Sequence, residues 1–509
     1  MMPVILWTDA LIFLLIAVGL ASAWWIRQRP HLMLPWQRVA KSSVGMVSLL
    51  VLSLFVLVGL LDTLHYRIAL PDKNNGQTVY SPEVLSAFDA LAGGLRSRTE
   101  KTYSAPLAAY LYAKESLETP DGKVLRDYPR LKFGGAHLAD PQRELVGDVV
   151  KRTLVGALGG LLGGVLLFFL ASKVLRRSTL SPLQGEGRSI ANSNPPISPL
   201  IRGDSLAPPL KWVKQAIRAA DARTRGGWEG FAHNYTLRAM LIATLIIAAL
   251  IGAIANLASA YHVLGTDKVG QDVLYLSLKS IRTGLVIGTV TTLVMLPFAL
   301  LFGVAAGYLR GWVDDVIQYV YTVLSSIPSV LLIAAAVLMM QVVIEMHADW
   351  FQTSAARADV RLLALCLILG VTSWTGLCRL LRGETLKLRE LEYIQAAQAF
   401  GVSSFRILTR HIVPNVMHIV LISVVMDFSA LVLAEAVLSY VGVGVDPTTI
   451  SFGTMINAAR LEMARDPMVW WALAAAFGFM LVLVLAANLF ADAVRDAFDP
   501  RLNRTESAK

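Results

Sequence analysis

The sequence predicts an all-α integral membrane protein with about nine transmembrane helices. Of its 509 residues, 55% are hydrophobic and 16% charged, against about 25% charged in a soluble globular protein. Apolar stretches close to the ~20 residues needed to cross a bilayer recur along the chain. Basic residues gather in alternate connections between them, as they do on the cytoplasmic side of membrane proteins.

The spans are expected near residues 4–26, 44–64, 153–172, 237–258, 281–306, 316–344, 361–379, 416–440 and 469–491. Residues 1–8 carry no Lys or Arg, so a cleaved leader lacks its basic start. The first stretch is expected to stay as a helix with its N-terminus outside. Residues 27–43 hold four Lys/Arg and no acid, 173–236 hold ten Lys/Arg against four acids, and 379–415 hold six against three. Placing these three inside gives alternation through nine spans and an inside C-terminus.

The chain then divides into five parts. Residues 1–64 carry the N-terminal transmembrane helices, and 65–152 form an extracytoplasmic insert in which 86–117 suit one or two amphipathic helices. Residues 153–172 are a further span. Its Gly156, Gly160 and Gly164 have the GxxxG spacing that lets helices approach closely, which serves either a subunit contact or packing within the chain. Residues 173–236 are a basic cytoplasmic linker. Its stretch 178–209 is rich in Ser, Pro, Gly and Asn, and 211–225 suits an amphipathic helix on the inner membrane surface. Residues 237–502 hold the remaining spans.

Much chemistry is excluded. The chain has no P-loop, HExxH, CxxC or GxSxG motif, so no catalytic residues and no metal site are expected. Cys366 and Cys378, if on one helix, stand roughly 18 Å apart, too far for a disulfide. The net charge of +10 is explained by basic loops, not by a nucleic-acid site. Asp427 and Glu435, eight residues apart in one span, are candidate functional groups because charges inside a membrane are costly. They suit an ion-coupled carrier, although Glu435 near the span's end also suits an interfacial position. Pro297 and Pro328 each mark a kink or a hinge.

The polar loop 379–415 is the most telling segment. Glu392-Tyr-Ile-Gln-Ala-Ala-Gln-Ala-Phe-Gly401 suits a short helix closed by glycine, and His411-Ile-Val-Pro414-Asn415 restarts the chain. A helix–turn–helix that cannot span the membrane, offered on its inner face, points to a soluble partner.

With Ala396-Ala397, Gly401 and Val413-Pro414, this loop resembles the EAA loop of binding-protein-dependent ABC importer permeases. Four further stretches resemble the dipeptide/oligopeptide branch, in order: Leu264-Gly-Thr-Asp-Lys-Val-Gly-Gln-Asp272, Gly307-Tyr-Leu-Arg-Gly-Trp-Val-Asp314 with Ser326-Ile-Pro328-Ser, Glu435-Ala-Val-Leu-Ser-Tyr-Val-Gly442-Val-Gly444, and Phe452-Gly-Thr-Met455 followed by Arg495-Asp-Ala-Phe-Asp499-Pro-Arg501. The resemblance covers about 237–502 and is to the second, "C" type, permease subunit. Gln395 replaces the Glu that names the loop, Gln398 a common Arg, and Gln271 the Arg of LGTDxxGRD. Residues 1–236 exceed the usual single N-terminal helix.

The resemblance implies a type I ABC importer permease module preceded by an N-terminal extension, in the inner membrane of a bacterium. It implies di- or oligopeptide transport by alternating access, with nickel or a peptide antibiotic as other cargoes. It implies no enzymatic activity and no cofactor in this chain, with ATP and Mg held by partner ATPase subunits. Its other partners are a second permease subunit, an extracytoplasmic binding protein and membrane lipid. The ATPase-coupling residues are then Glu392, Ala396, Ala397, Gly401, Arg406 and Pro414. Gly265, Thr266, Asp267, Gly270 and Asp272 form a gate, a binding-protein contact or simply a capped turn.

Overall fold

The computed structural model describes residues 2–28, 30–70, 79–118, 124–179, 235–351 and 353–498. Strand β1 (Met2–Val4) leads into α1 (Trp7–Arg27), α2 (Pro30–Val39) and α3 (Ser43–Asp62). The insert follows as β2 (His65–Arg67), β3 (Ala69–Leu70), β4 (Val79–Tyr80), β5 (Leu85–Ser86), α4 (Ala87–Leu91), α5 (Gly93–Ser97), β6 (Glu115–Glu118) and β7 (Val124–Asp127). The remainder is helical: α6 (Pro141–Thr179), α7 (Tyr235–Ala258), α8 (Val273–Leu309), α9 (Trp312–Ser326), α10 (Ser329–Met346), α11 (Ser354–Ser373), α12 (Thr375–Arg389), α13 (Glu392–Ala399), α14 (Ser404–Ile407), α15 (Val413–Val441), α16 (Phe452–Arg460) and α17 (Trp471–Phe498).

Among the described residues, nine helical segments are long and apolar enough to cross a membrane. The expected spans fall on them, with corrections at the ends and one exception in the first part of 316–344. The stretch 316–344 is two helices, because Pro328 lacks an amide donor and forces Ile327 into an extended conformation (ψ 131°). Only Ser329–Met346 of that pair qualifies as a span. Pro297, by contrast, sits inside an unbroken α8. That helix starts at Val273, where Asp272 caps it. The span expected at 153–172 lies inside the longer α6, and that at 361–379 lies on α11 and α12.

The insert departs from an all-α reading. Where 86–117 was expected to be amphipathic helix, α4 and α5 are five residues each, and β6 pairs with β7 as an antiparallel hairpin. Strand β1 pairs with β2, and β2 with β5. These strands are too short to show an alternating pattern in the sequence. The expected linker 178–209 lies almost wholly, and the amphipathic helix 211–225 wholly, outside the described residues.

The chain forms two compact units: residues 1–149 with 257–509, and residues 150–256. The N-terminal helices and the insert's residues to 149 thus belong with the C-terminal helices, where the sequence suggested separate parts. In the larger unit, one core gathers around the first turns of α8 with Val432, Phe452, Trp471 and Leu483. A second surrounds the other end of α8 with Cys378, Leu381, Ile394, Ile407 and Ile412. Helix α1 is fastened to this unit by buried charge. Asp9 pairs with Arg282 at 2.6 Å and with His65 at 2.7 Å, while the Thr8 amide donates to Asp359 at 3.2 Å.

In the smaller unit, the GxxxG glycines serve packing within the chain. A Cβ at Gly160 would overlap the Ala248 carbonyl, and one at Gly164 would meet the Ala248 side chain at 2.7 Å. Such close approach lets backbones touch where no side chain intervenes.

Candidate functional site

The polar loop folds as the sequence suggested. Glu392 opens α13, where a carboxylate favours the helix N-terminus. The end of α13 closes in a Schellman turn: Gly401 N–H donates to Gln398 O at 2.9 Å, and Val402 N–H to Ala397 O at 3.1 Å. Gly401 has φ +75°, a conformation that disfavours any Cβ-bearing residue. Val402 and Ala397 both pack on the underlying core.

The chain then turns through α14 and a π-helical turn, Leu408–Ile412, into α15, with Pro414 in its first turn. There the missing proline N–H costs nothing. Ile394, Ile407 and Ile412 are fully buried and root the turn in the α8–α12–α15 core. Glu392, Gln395, Ala396, Gly401, Arg406 and Pro414 are exposed, and Ala397 is half-buried. Phe400 and Phe405 stand out at 87% and 75% exposure, two aromatic rings on one short polar turn. The sequence reading passed over both.

The substituted glutamines keep structural work. Gln398 Nε2 donates to the Tyr308 hydroxyl at 3.2 Å, and Arg389 donates to the Tyr308 carbonyl at 2.6 Å. Gln395 Nε2 donates to the Glu390 carbonyl at 3.3 Å. Asp314 accepts from Nε and one Nη of Arg382, at 2.6 and 2.8 Å, and that hydrogen bonding keeps its carboxyl below the usual range. Helix α13 is thereby tied to the end of α8 and, through α12, to the start of α9.

At the other end of α8, the loop 264–272 is a buried anchor. Asp272 caps α8 by accepting from Leu274 and Tyr275 amides, while its second oxygen holds His262 Nδ1 at 2.7 Å. The other ring nitrogen of His262 faces Glu100 at 3.4 Å. Glu100 also accepts the amides of Lys132, Phe133 and Gly134. Trp471 Nε1 donates to the Thr266 carbonyl at 3.0 Å. Gly265, Thr266, Gly270 and Asp272 are buried under these contacts, and of the five residues singled out only Asp267 stays partly accessible. The capped turn is what this loop's geometry describes. Lys268, Val269 and Gln271 are its exposed residues.

Burial alone would lower the His262 imidazole, but the hydrogen bonds to Asp272 and Glu100 outweigh it and raise the pKa from 6.5 to about 9. Burial would raise Glu100, but His262 and the three amides pull it from 4.5 down to about 2. The His262 contribution is complete below pH 6.5 and is lost as pH rises through 9; that of Glu100 is complete above 4.5 and is lost as pH falls through 2. Intrinsic-rate-corrected hydrogen exchange at residues 130–135 should therefore be slowest between pH 4.5 and 6.5 and faster at pH 9. Equal protection at pH 6 and pH 9 would show that this cluster does not hold the insert.

Glu435 is buried within the protein. It is 1% exposed and accepts from Ser439 Oγ at 2.7 Å and Ser451 Oγ at 2.8 Å, and Ser451 in turn caps α16. Asp427 is half-buried on the same helix. The sequence reading missed the denser charges of α8. Lys279 and Arg282, three residues apart in an apolar run, reach Asp89 at 2.5 Å and Asp9 at 2.6 Å. Two cations in an apolar stretch were the available signal. Cys366 and Cys378 are buried free thiols. Among the described residues, no group of three or more His, Cys, Asp or Glu is placed to hold a metal ion.

Among the described residues, nine helices long and apolar enough to cross a membrane, with a polar helix–turn rooted in the core beneath it, define a polytopic transport permease. Residues 299–504 match the family described as binding-protein-dependent transport system inner membrane component. The chain is 33% identical over 239 residues to the oligopeptide transport system permease protein OppC of Mycobacterium tuberculosis (strain ATCC 25618 / H37Rv), covering 47% of this chain and 76% of that protein. It is 28% identical over 246 residues to the dipeptide transport system permease protein DppC of Bacillus subtilis, covering 48% and 71%. It is 32% identical over 244 residues to the glutathione transport system permease protein GsiD of Pectobacterium atrosepticum, covering 48% and 74%. The chain belongs to the binding-protein-dependent transport system inner membrane component family and is an ABC importer permease.

Proposed function

We propose that this permease imports short peptides across the inner membrane of a bacterium, by alternating access driven by separate ATPase subunits. A second permease subunit completes the pathway, and an extracytoplasmic binding protein delivers the cargo. ATP and Mg belong to the ATPases, and this chain supplies no catalytic group. The single observation that carries the reading is the Schellman-closed α13. Ala396 on this helix, Phe400 and Gly401 at its end and Phe405 on α14 are exposed, while Ile394 fixes the helix to the core. With the usual loop charges replaced by Gln395 and Gln398, docking rests on helix shape and the two aromatic rings, with Glu392, Arg406 and Pro414 around them. The relatives named for oligopeptides, dipeptides and glutathione support a peptide-sized cargo. Apolar residues such as Leu162 and Met339, 74% and 73% exposed on their spans, suit contact with lipid or a neighbouring subunit.

Co-purification tests the assignment. Tagged chain extracted in mild detergent should bring down an ATPase subunit, and mutating Phe400 and Phe405 together to Ser should release it. Capture of no ATPase by the unaltered chain defeats the proposal. Asp427→Asn should leave ATP-dependent uptake unchanged, whereas its loss would return proton coupling to consideration.

A further inference from the structure

Two cavities adjoin where the insert meets the first turns of α8. One, of about 180 Å³, has Leu276, Ile450 and Met455 in its wall and Asp267 and Glu462 among its polar groups. The other, of about 250 Å³, is lined by charged groups, including Asp89, Arg96 and Lys279. Gln271 and Ile450 line both, so the two are neighbours across a shared ridge. Together they fall within the ~300–1,000 Å³ of small-ligand sites. Gln271 is exposed and stands where the permease pattern carries an arginine. The shorter neutral side chain places no charge on the ridge.

We propose that these cavities form a recognition site for a short zwitterion with an apolar side chain, of dipeptide or tripeptide size. The insert contributes Arg96 and Tyr103, so the permease itself selects cargo. Which zwitterion is meant rests on the peptide-importer reading.

The chemistry of the walls supports each part of such a guest. Arg96 spends one guanidinium nitrogen on Glu83, and a guanidinium has five donors, so it retains capacity for a carboxylate. Lys279, 22% exposed, lines the same cavity and is held in place by Asp89 and Tyr275. Leu276, Ile450 and Met455 suit an aliphatic side chain. For an ammonium, Asp267 is the candidate acceptor. Its Oδ1 takes the amides of Val269 and Gln271, and burial still pushes its carboxyl up, which a guest cation would relieve. Tyr103 is 5% exposed and lines the apolar cavity. Glu462 and Arg465 stand beside its hydroxyl.

The test uses the full chain in lipid nanodiscs, titrated calorimetrically with leucyl-leucine and with N-acetyl-leucyl-leucinamide, which lacks both charges. Leucyl-leucine should bind, and the blocked peptide should bind at least about tenfold more weakly. Gln271→Trp, at an exposed position, should fill the ridge and weaken leucyl-leucine at least about tenfold with an unchanged thermal unfolding midpoint. Failure of leucyl-leucine to bind, equal affinity for the blocked peptide, or an unaffected Gln271→Trp would each overturn the site. Uptake by the assembled transporter separates the two claims. Peptide uptake unaltered by Gln271→Trp keeps the importer and removes the site. Binding without any peptide uptake removes the importer reading instead.

Discussion

Replacing Gly401 with arginine is expected to abolish ATP-dependent uptake while leaving membrane insertion and the transmembrane fold intact. Gly401 has φ +75°, and no atom outside its immediate neighbours lies within 4 Å of where a Cβ would stand. The new side chain therefore meets open space, not the core. The cost is local: a left-handed backbone at a residue with a Cβ is worth roughly 1–2 kcal/mol. That strain falls on the two hydrogen bonds, Gly401 to Gln398 and Val402 to Ala397, that set the exit direction from α13. If the turn relaxes, α13 swings relative to α14. If it holds, a long cation projects beside Phe400 on the proposed docking face. Either outcome separates the helix from an ATPase groove. Gly401→Asn, whose residue tolerates this conformation, should retain most uptake. Flux of labelled peptide into proteoliposomes containing the assembled transporter reads the difference, and full flux with Gly401→Arg would refute the coupling role.

Much of this turn was legible in the sequence because its signals are local. A glycine after an eight-residue helical stretch, a proline in the next first turn and two apolar spans on either side specify it without distant contacts. The spans were legible for the same reason. What resisted reading depends on residues far apart in the chain. Nothing near Glu100 announces that its carboxylate gathers the amides of Lys132 to Gly134 and faces His262. Nothing near Thr8 and Asp9 announces Asp359 and Arg282. The insert's strands are two to four residues long, below the length at which alternation can be recognised. The charges of α8 illustrate the same failure. Lys279 and Arg282 stand in an apolar run, but their acidic partners come from the N-terminal extension and the insert, far away in the chain. Glu435 stands out in the sequence because a charge in a membrane span is costly. Its serine partners show that the cost is offset by holding the N-cap of α16.

Gly270→Ala should release the insert from the rest of the protein, with the largest effect expected of any single methyl group in this region. Gly270 has φ +78°, and a Cβ there would overlap the Glu100 carbonyl. Two penalties coincide. The left-handed conformation costs roughly 1–2 kcal/mol. Because the obstacle is backbone, relief requires the Glu100 segment to move away. Glu100 cannot shift alone, since its own N–H donates to Gly270 O at 2.9 Å and its carboxylate binds three amides and faces His262. Moving it breaks charge-assisted hydrogen bonds worth about 1.5–3 kcal/mol each. It also leaves His262, buried beside Asp272, without its second carboxylate. The expected result is accelerated proteolysis and hydrogen exchange across residues 98–135, with α8 and the α13 turn unchanged in protection. Val269→Ala, at an exposed neighbour in the same turn, should have almost no effect. The paired measurement separates a steric wedge at Gly270 from general fragility of the loop. If the insert keeps its protection in Gly270→Ala, the anchor lies elsewhere, most directly in the Tyr275–Asp89–Lys279 contacts at the start of α8. A cargo site shared by the insert and α8 should weaken together with the anchor, because Arg96 and Tyr103 would leave with the insert while Gln271 stays behind.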